Sequence, residues 1–93
     1  MTVEIITPEA RLFHGEAKAI QLPGKDGLFQ ILDKHAPIIA ALGKGTLKID
    51  LPEGFQRSET LSKRIELQGN TMRIDIQGGV VEVSENKAIV LVN

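Results

Sequence analysis

The chain has 93 residues, enough for one domain with a modest core. Eleven basic and twelve acidic residues give a formal charge of −1, and three Phe are the only aromatic residues. This composition excludes the basic surface and the stacking platforms of a nucleic-acid-binding protein. The absence of cysteine excludes disulfides and thiolate chemistry, and two histidines alone cannot form a metal cluster.

Alternation of apolar and polar residues predicts β-strands along most of the chain. The segments "VEIIT" and "AKAIQL" near the start are predicted strands, separated by a connection from Pro8 to Gly15. Leu47, Ile49 and Leu51 then alternate with polar residues. From Leu51 to Lys63 the chain is polar and has no clean period. That segment is predicted to be a long loop, or a loop that carries a second edge hairpin.

The segment "RIELQGNTMRID" predicts a hairpin around a two-residue turn at Gly69–Asn70, since both residues tolerate positive φ. Its register places Leu67 opposite Met72 and Ile65 opposite Ile74 on the apolar face. Glu66 then lies opposite Arg73, and Arg64 opposite Asp75, on the other face. A slip of one residue would move these charged pairs into the core. The pattern of apolar residues and the pattern of charges therefore specify the same pairing.

The last segment, "IQGGVVEVSENKAIVLV", predicts a bend or turn at Gly78–Gly79 and a turn at Glu85–Asn86. Val81 and Val83 are then expected to lie opposite Val90 and Ala88. The complete pattern predicts an all-β chain, a flattened β-sandwich or barrel of about seven to ten short antiparallel strands. We expect residues 1–93 to form a single domain.

The segment "DKHAPIIAAL" is the least regular part of the sequence. Ala36 precedes a proline and is therefore restricted to an extended conformation, and Pro37 has no backbone N–H. In one interpretation His35 braces the adjoining turn and residues 38–42 fill the core. However, five consecutive apolar residues cannot all point inward on a strand, so some are expected to face a partner or a second sheet.

Few residue patterns in this chain indicate catalysis. Residues 43–46, "GKGT", lack the spacing of a phosphate-binding loop, and a glycine-rich turn is the better interpretation. His14 has no acidic or nucleophilic neighbour at a spacing typical of a triad. The sequence therefore predicts no catalytic residues, no cofactor and no metal site, and it contains no apolar run near the ~20 residues that span a bilayer.

The segments "LPGKDGLFQILDKHAPIIAALGKGTLKI" and "IQGGVVEVSENKAIVLV" resemble the N-terminal β-sandwich domain of the F-type ATP synthase epsilon subunit. The similarity lies in the glycine-rich loop at residues 24–27, the His-Ala-Pro motif at residues 35–37, and the Gly-Gly-x-x-Glu-Val motif at residues 78–83. Leu28 stands where this family often has an acidic residue, and Asp33–Lys34 replaces its usual Pro-Gly pair. Family members usually continue into a two-helix C-terminal domain, and we expect this chain to lack that hairpin.

The resemblance implies a non-catalytic central-stalk subunit that docks the gamma subunit to the c-subunit ring. It implies that Lys25, Asp26, Gly27 and Leu28 face the c-ring. It also implies that gamma is contacted by Lys34, His35, Ala36, Pro37, Ile38 and Ile39. Such a subunit is expected on the cytoplasmic side of the bacterial inner membrane, attached through the complex and not inserted in the bilayer.

Two alternatives remain open from the sequence. A free-standing β-sandwich adaptor unrelated to ATP synthase would have the same composition and could use the same apolar segment for docking. A small hydrolase that uses His35 would need a nearby nucleophile or carboxylate, and Asp33 would share a face with His35 if both lay on one strand.

Overall fold

The computed structural model describes residues 1–55 and 62–93, and these two ranges contain ten β-strands. The strands are β1 (Thr2–Ile6), β2 (Arg11–Glu16), β3 (Ala19–Gly24), β4 (Gly27–Leu32), β5 (Ile38–Leu42), β6 (Gly45–Asp50), β7 (Glu66–Gln68), β8 (Thr71–Ile76), β9 (Gly79–Ser84) and β10 (Lys87–Val92). The predicted all-β class and number of strands are confirmed. No helix in the described ranges is long and apolar enough to cross a bilayer.

The strands follow one hydrogen-bonded path in the order β2-β1-β10-β9-β5-β3-β6-β8-β7, with β4 on β3. Strand β3 pairs with β5 at a single position, Gly24 with Leu42. This narrow junction divides the path into a first half, β2-β1-β10-β9-β5, and a second half, β4-β3-β6-β8-β7. The sheet is curled into a half-barrel, so that the inner faces of the two halves pack on each other as in a β-sandwich.

One core lies between the two halves. From the first half Val3, Ile5 and Val90 are fully buried, and from the second half Ile20 and Leu47 are fully buried. In β1, β6 and β10 these residues alternate with exposed or half-buried neighbours, as the period of two requires. Burial of each such side chain contributes about 1.5–3 kcal/mol to stability.

The register predicted around Gly69–Asn70 is confirmed for the two pairs closer to the turn, but the predicted pair of Arg64 with Asp75 lies beyond the ladder. Leu67 pairs with Met72 and Glu66 with Arg73, and Gly69 in the turn has a φ of 59°. Ile65 is buried as expected, but it precedes β7 and is not paired with Ile74 in a ladder.

The second predicted hairpin is also confirmed. Val83 pairs with Ala88 and Val81 with Val90. Glu85 and Asn86 have φ values of 51° and 60°, which makes them a left-handed two-residue turn.

Two features of the topology differ from the sequence prediction. Strands β1 and β10 pair in parallel, which their connection permits because nearly the whole domain lies between them in sequence. In addition, β2 occupies much of the segment predicted as a connection from Pro8 to Gly15. Only Phe13 is buried in β2, so the apolar alternation of this edge strand is too weak to detect.

Residues 51–55 and 62–65 are irregular, in agreement with the predicted loop. The possible second edge hairpin falls largely on residues 56–61, which lie outside the described residues. At residues 77–78 the chain bends from β8 in the second half to β9 in the first half, so these two strands are not paired as a hairpin. The second of the two glycines, Gly79, leaves no space for a side chain, because a Cβ there would overlap the Leu91 carbonyl group.

We expect Gly79→Ala to destabilise the fold by about 2–3 kcal/mol, because backbone atoms of β10 would have to move. The matched control is Gly78→Ala, whose Cβ would make an ordinary contact with the Leu42 carbonyl oxygen at 3.5 Å. The free energy of unfolding in urea is the measurement. Equal stability of the two variants would contradict the close approach of β9 and β10.

Candidate functional site

The first group of predicted contact residues lies at the end of the β3–β4 hairpin. Lys25 and Asp26 form the turn between the paired residues Gly24 and Gly27. Gly24 has no space for a side chain, since a Cβ there would lie 2.8 Å from the Gly27 carbonyl oxygen. Leu28 follows with 67% of its surface exposed. This hairpin tip, Lys25–Leu28, therefore presents a cation, an anion and an apolar side chain on a tightly closed turn.

The second group begins in the connection between β4 and β5, residues 33–37, which we term the corner. The His35 N–H donates to the Leu32 carbonyl at 3.1 Å and closes a four-residue turn. Lys34 is the third residue of this turn and has a φ of 62°, a conformation that Gly or Asn adopts more readily. The half-buried His35 ring places Nδ1 2.7 Å from the Ala36 carbonyl oxygen, so Nδ1 carries the proton and donates it.

A hydrogen-bond network connects the corner to the turn between β9 and β10. Asn86 Nδ2 donates to Asp33 Oδ1 at 2.9 Å, and Asn86 Oδ1 accepts from the Lys34 N–H at 2.7 Å. Asp33 Oδ1 also accepts from the Met1 ammonium group at 2.9 Å. The hydrogen bond from Asn86, followed by that from the ammonium group, lowers the pKa of Asp33 below its ordinary value of 3.8.

The hairpin tip and the corner lie on the rim of one groove between β4 and β5. This groove has a volume of about 700 Å³. Its lining includes Lys25, Asp26 and Leu28 from the tip. His35 and Ile38 line it from the second group. The structure thus brings residues from both groups, which are separate in sequence, to one concave surface.

Strand β5 divides the second group between two faces of the sheet. Ile38 and Ala40 are half-buried and line the groove, whereas Ile39 is 72% exposed on the outer face. The prediction that the apolar run cannot all point inward is therefore confirmed.

The outer face of the first half carries a row of apolar residues that the sequence did not single out. Ile6, Ala41, Val80 and Leu91 are neighbours in the register of four adjacent strands. Leu91 is 46% exposed. All four line a second groove of about 770 Å³, which Lys25 also borders. We term these four residues the outer row.

A signal for the outer row is present in the sequence. Residues 80–81 and 88–92 are apolar without alternation, which is typical of strands with apolar side chains on both faces. The row itself could not be assembled from the sequence, because it depends on the parallel pairing of β1 with β10.

The contacts of the site are those of a binding surface. The Asp33 carboxylate and His35 lie in a turn, not on one strand, and the Asp33 carboxylate bonds to Asn86 and Met1. Among residues 1–55 and 62–93, no cluster of three or more His, Cys, Asp or Glu is placed to hold a metal ion. The site instead offers two grooves, an exposed apolar row and charged turns.

Residues 1–63 match the family model described as the β-sandwich domain of the ATP synthase delta/epsilon chain. The chain is 40% identical over 90 residues to an ATP synthase epsilon chain of Chlorobaculum tepidum, covering 97% of this chain and 85% of the relative. It is 38% identical over 89 residues to that of Chlorobium limicola, covering 96% and 84%. For Nitratiruptor sp. the identity is 37% over 92 residues, covering 99% and 60%. The chain thus spans between 60% and 85% of the length of these three relatives.

Two solved structures have the same fold. One is the central stalk and c-ring of the Tetrahymena thermophila mitochondrial ATP synthase, with a TM-score of 0.69 at 21% identity over 98% of this chain and 61% of that one. The other is the OSCP/F1/c-ring structure of the Euglena gracilis enzyme, with a TM-score of 0.70 at 16% identity over 97% and 48%. At these identities the likeness confirms the β-sandwich fold.

We expect acid to weaken the contribution of Asp33 to stability. Its folded-state pKa is lowered, so its contribution is present above pH 3.8 and is lost as the pH falls through the folded-state value. The difference in unfolding free energy between the parent chain and Asp33→Asn should therefore shrink on acidification. Asp26→Asn, which removes the same charge at the hairpin tip, is the control. If the difference in unfolding free energy between the parent chain and Asp33→Asn did not change with pH, the lowered pKa of Asp33 would be contradicted.

Proposed function

The chain belongs to the ATP synthase delta/epsilon family, and from this premise we propose that it docks the gamma subunit to the c-subunit ring in the central stalk. In this role it couples ion-driven rotation of the ring to ATP synthesis in an F-type enzyme. Its relatives are epsilon chains, so it is a non-catalytic part of an enzyme complex.

The observation that carries this proposal is the single groove with the hairpin tip and the corner on its rim. Two partners that meet at this rim would both bind to a β-sandwich whose turns are fixed by backbone hydrogen bonds. Little conformational entropy is lost when such a preformed surface docks. A stiff element between gamma and the ring transmits rotation without absorbing it as bending.

We propose that gamma binds around strand β5. The proposed contacts are Lys34, His35, Ala36, Pro37, Ile38 and Ile39. Ile39 is on the same face of β5 as Ala41, so the surface continues into the outer row. Leu91 and Val80 would then be apolar anchors at the centre of the interface, and Lys34 would lie at its polar rim.

We propose that the c-ring binds the hairpin tip. Lys25 and Asp26 carry opposite charges on one turn, and Leu28 is the most exposed apolar residue of β4. Charges of both signs favour rapid encounter with polar loops of complementary charge. The tip and the corner contribute different residues to the lining of the groove, so the two partners would contact different residues.

A stalk subunit of ATP synthase is peripheral to the membrane. We propose that this chain lies on the cytoplasmic side of a bacterial inner membrane. The bacterial origin of the three relatives supports this location.

Calorimetric titration with the gamma subunit of the same organism tests the gamma contact. We expect His35→Asp to weaken binding about tenfold, because it places a carboxylate at the rim of the interface. His14→Asp is the matched control, since His14 is on β2, four strands and roughly 19 Å from β5. Leu91→Gln should weaken binding as well, whereas Lys87→Gln, on the same face of β10, should not.

The absence of saturable binding to gamma by the parent chain would overturn this function and favour a free-standing adaptor. Binding that is unaffected by both His35→Asp and Leu91→Gln would retain the subunit assignment but place gamma on another surface.

The ring contact is tested by binding of a preformed complex with gamma to the purified c-ring in detergent. We expect Leu28→Ser to weaken this binding several-fold, since it removes the exposed apolar side chain of the tip. Leu32→Ser is the control on the same face of β4, where Leu32 is 54% exposed. Equal effects of the two variants would contradict a specific role of the tip.

A further inference from the structure

We propose that Asn86 is the positioning residue of the corner. Its side chain fixes the backbone of Lys34 and thereby sets the direction in which His35 and the following Ala36 and Pro37 are presented to the partner. This inference rests on the proposed function, in which the corner is a docking element, and it adds a residue from a distant turn.

The Asn86 amide contacts two consecutive residues of the corner. Its Nδ2 donates to the Asp33 carboxylate at 2.9 Å, while its Oδ1 accepts from the Lys34 N–H at 2.7 Å. A side-chain amide offers a donor and an acceptor side by side in one plane. The two contacts together hold both the side chain and the backbone of the turn.

The hydrogen bond from the Lys34 N–H to Asn86 stabilises an unfavourable backbone conformation at Lys34. Lys34 has a φ of 62°, and a left-handed lysine is disfavoured because its Cβ crowds the backbone. Such a conformation persists where the surroundings hold it. The Lys34 N–H belongs to the peptide group between Asp33 and Lys34. Because this N–H donates to the Asn86 side-chain oxygen, the contact selects the orientation of that peptide group in the turn.

Asn86 is itself well anchored. With Glu85 it forms the left-handed turn between β9 and β10, and its carbonyl accepts from the Thr2 N–H at 3.1 Å. Strand β9 also pairs with β5, which begins just after the corner. The corner is therefore attached to one rigid unit at two points, through the β5–β9 ladder and through the Asn86 side chain.

Hydrogen exchange and gamma binding of two matched variants test this inference. Asn86→Gly keeps a residue that accepts positive φ but removes the amide, and Glu85→Gly makes the same backbone change one residue earlier in the turn. We expect the Lys34 amide to exchange at least about tenfold faster in Asn86→Gly only, with Val81 and Val90 unchanged in both variants.

In calorimetric titration with gamma we expect Asn86→Gly to weaken binding about tenfold and Glu85→Gly to change it by less than about twofold. Unchanged exchange of the Lys34 amide in Asn86→Gly would overturn the positioning contact. Faster exchange with unchanged gamma affinity, while His35→Asp still weakens binding, would overturn the docking role of Asn86 and leave the proposed function intact. Failure of the parent chain to bind gamma would overturn the proposed function and the docking role together.

Discussion

The two halves of the sheet are joined by backbone pairing at one residue position, and the rest of the structure depends on this narrow junction. Gly24 pairs with Leu42, and backbone hydrogen bonds from Lys25 to Ala41 and from Gly43 to the residue preceding Gly24 flank the pair. A long ladder at this point would hold the ten strands as one open sheet. The short junction lets the halves fold over each other, so that each covers the apolar face of the other.

The same junction leaves one side of the sandwich open. In the described part of the chain, β5 pairs with β3 only at its end, and β4 pairs only with β3. The edges of β4 and β5 therefore stand apart and enclose the groove. Residues at its rim are placed by β4 and β5, which are anchored in the core by the buried Ile31 and Leu42, so the surface exists before any partner arrives.

Residues other than glycine that have a positive φ are concentrated near this opening. Among the described residues, positive φ occurs without glycine at Lys34, Glu85 and Asn86, and two of these three are hydrogen-bonded to each other. These turns are stabilised by residues distant in sequence, since the Asn86 side chain of the β9–β10 turn is hydrogen-bonded to Asp33 and Lys34 of the corner. Strain of this kind is typical of functional sites, where a fixed direction of presentation outweighs its energetic cost.

Local patterns in the sequence were sufficient for the hairpins. The register around Gly69 and the left-handed turn at Glu85–Asn86 follow from residues only a few positions apart. The edge strand β2 and the parallel pairing of β1 with β10 were not predicted, because a single buried Phe13 gives no period and pairing across the whole chain leaves no local signal.

The sequence by itself determined the all-β class, the hairpin registers and the outward exposure of part of β5, since alternation is a property of neighbouring residues. Only the tertiary structure decided that the hairpin tip and the corner share a groove, that the outer row is continuous, and that Asn86 contacts Asp33 and Lys34. These features join segments that are far apart in the chain. Their juxtaposition is selected by the mutual burial of the two halves, which no local pattern encodes.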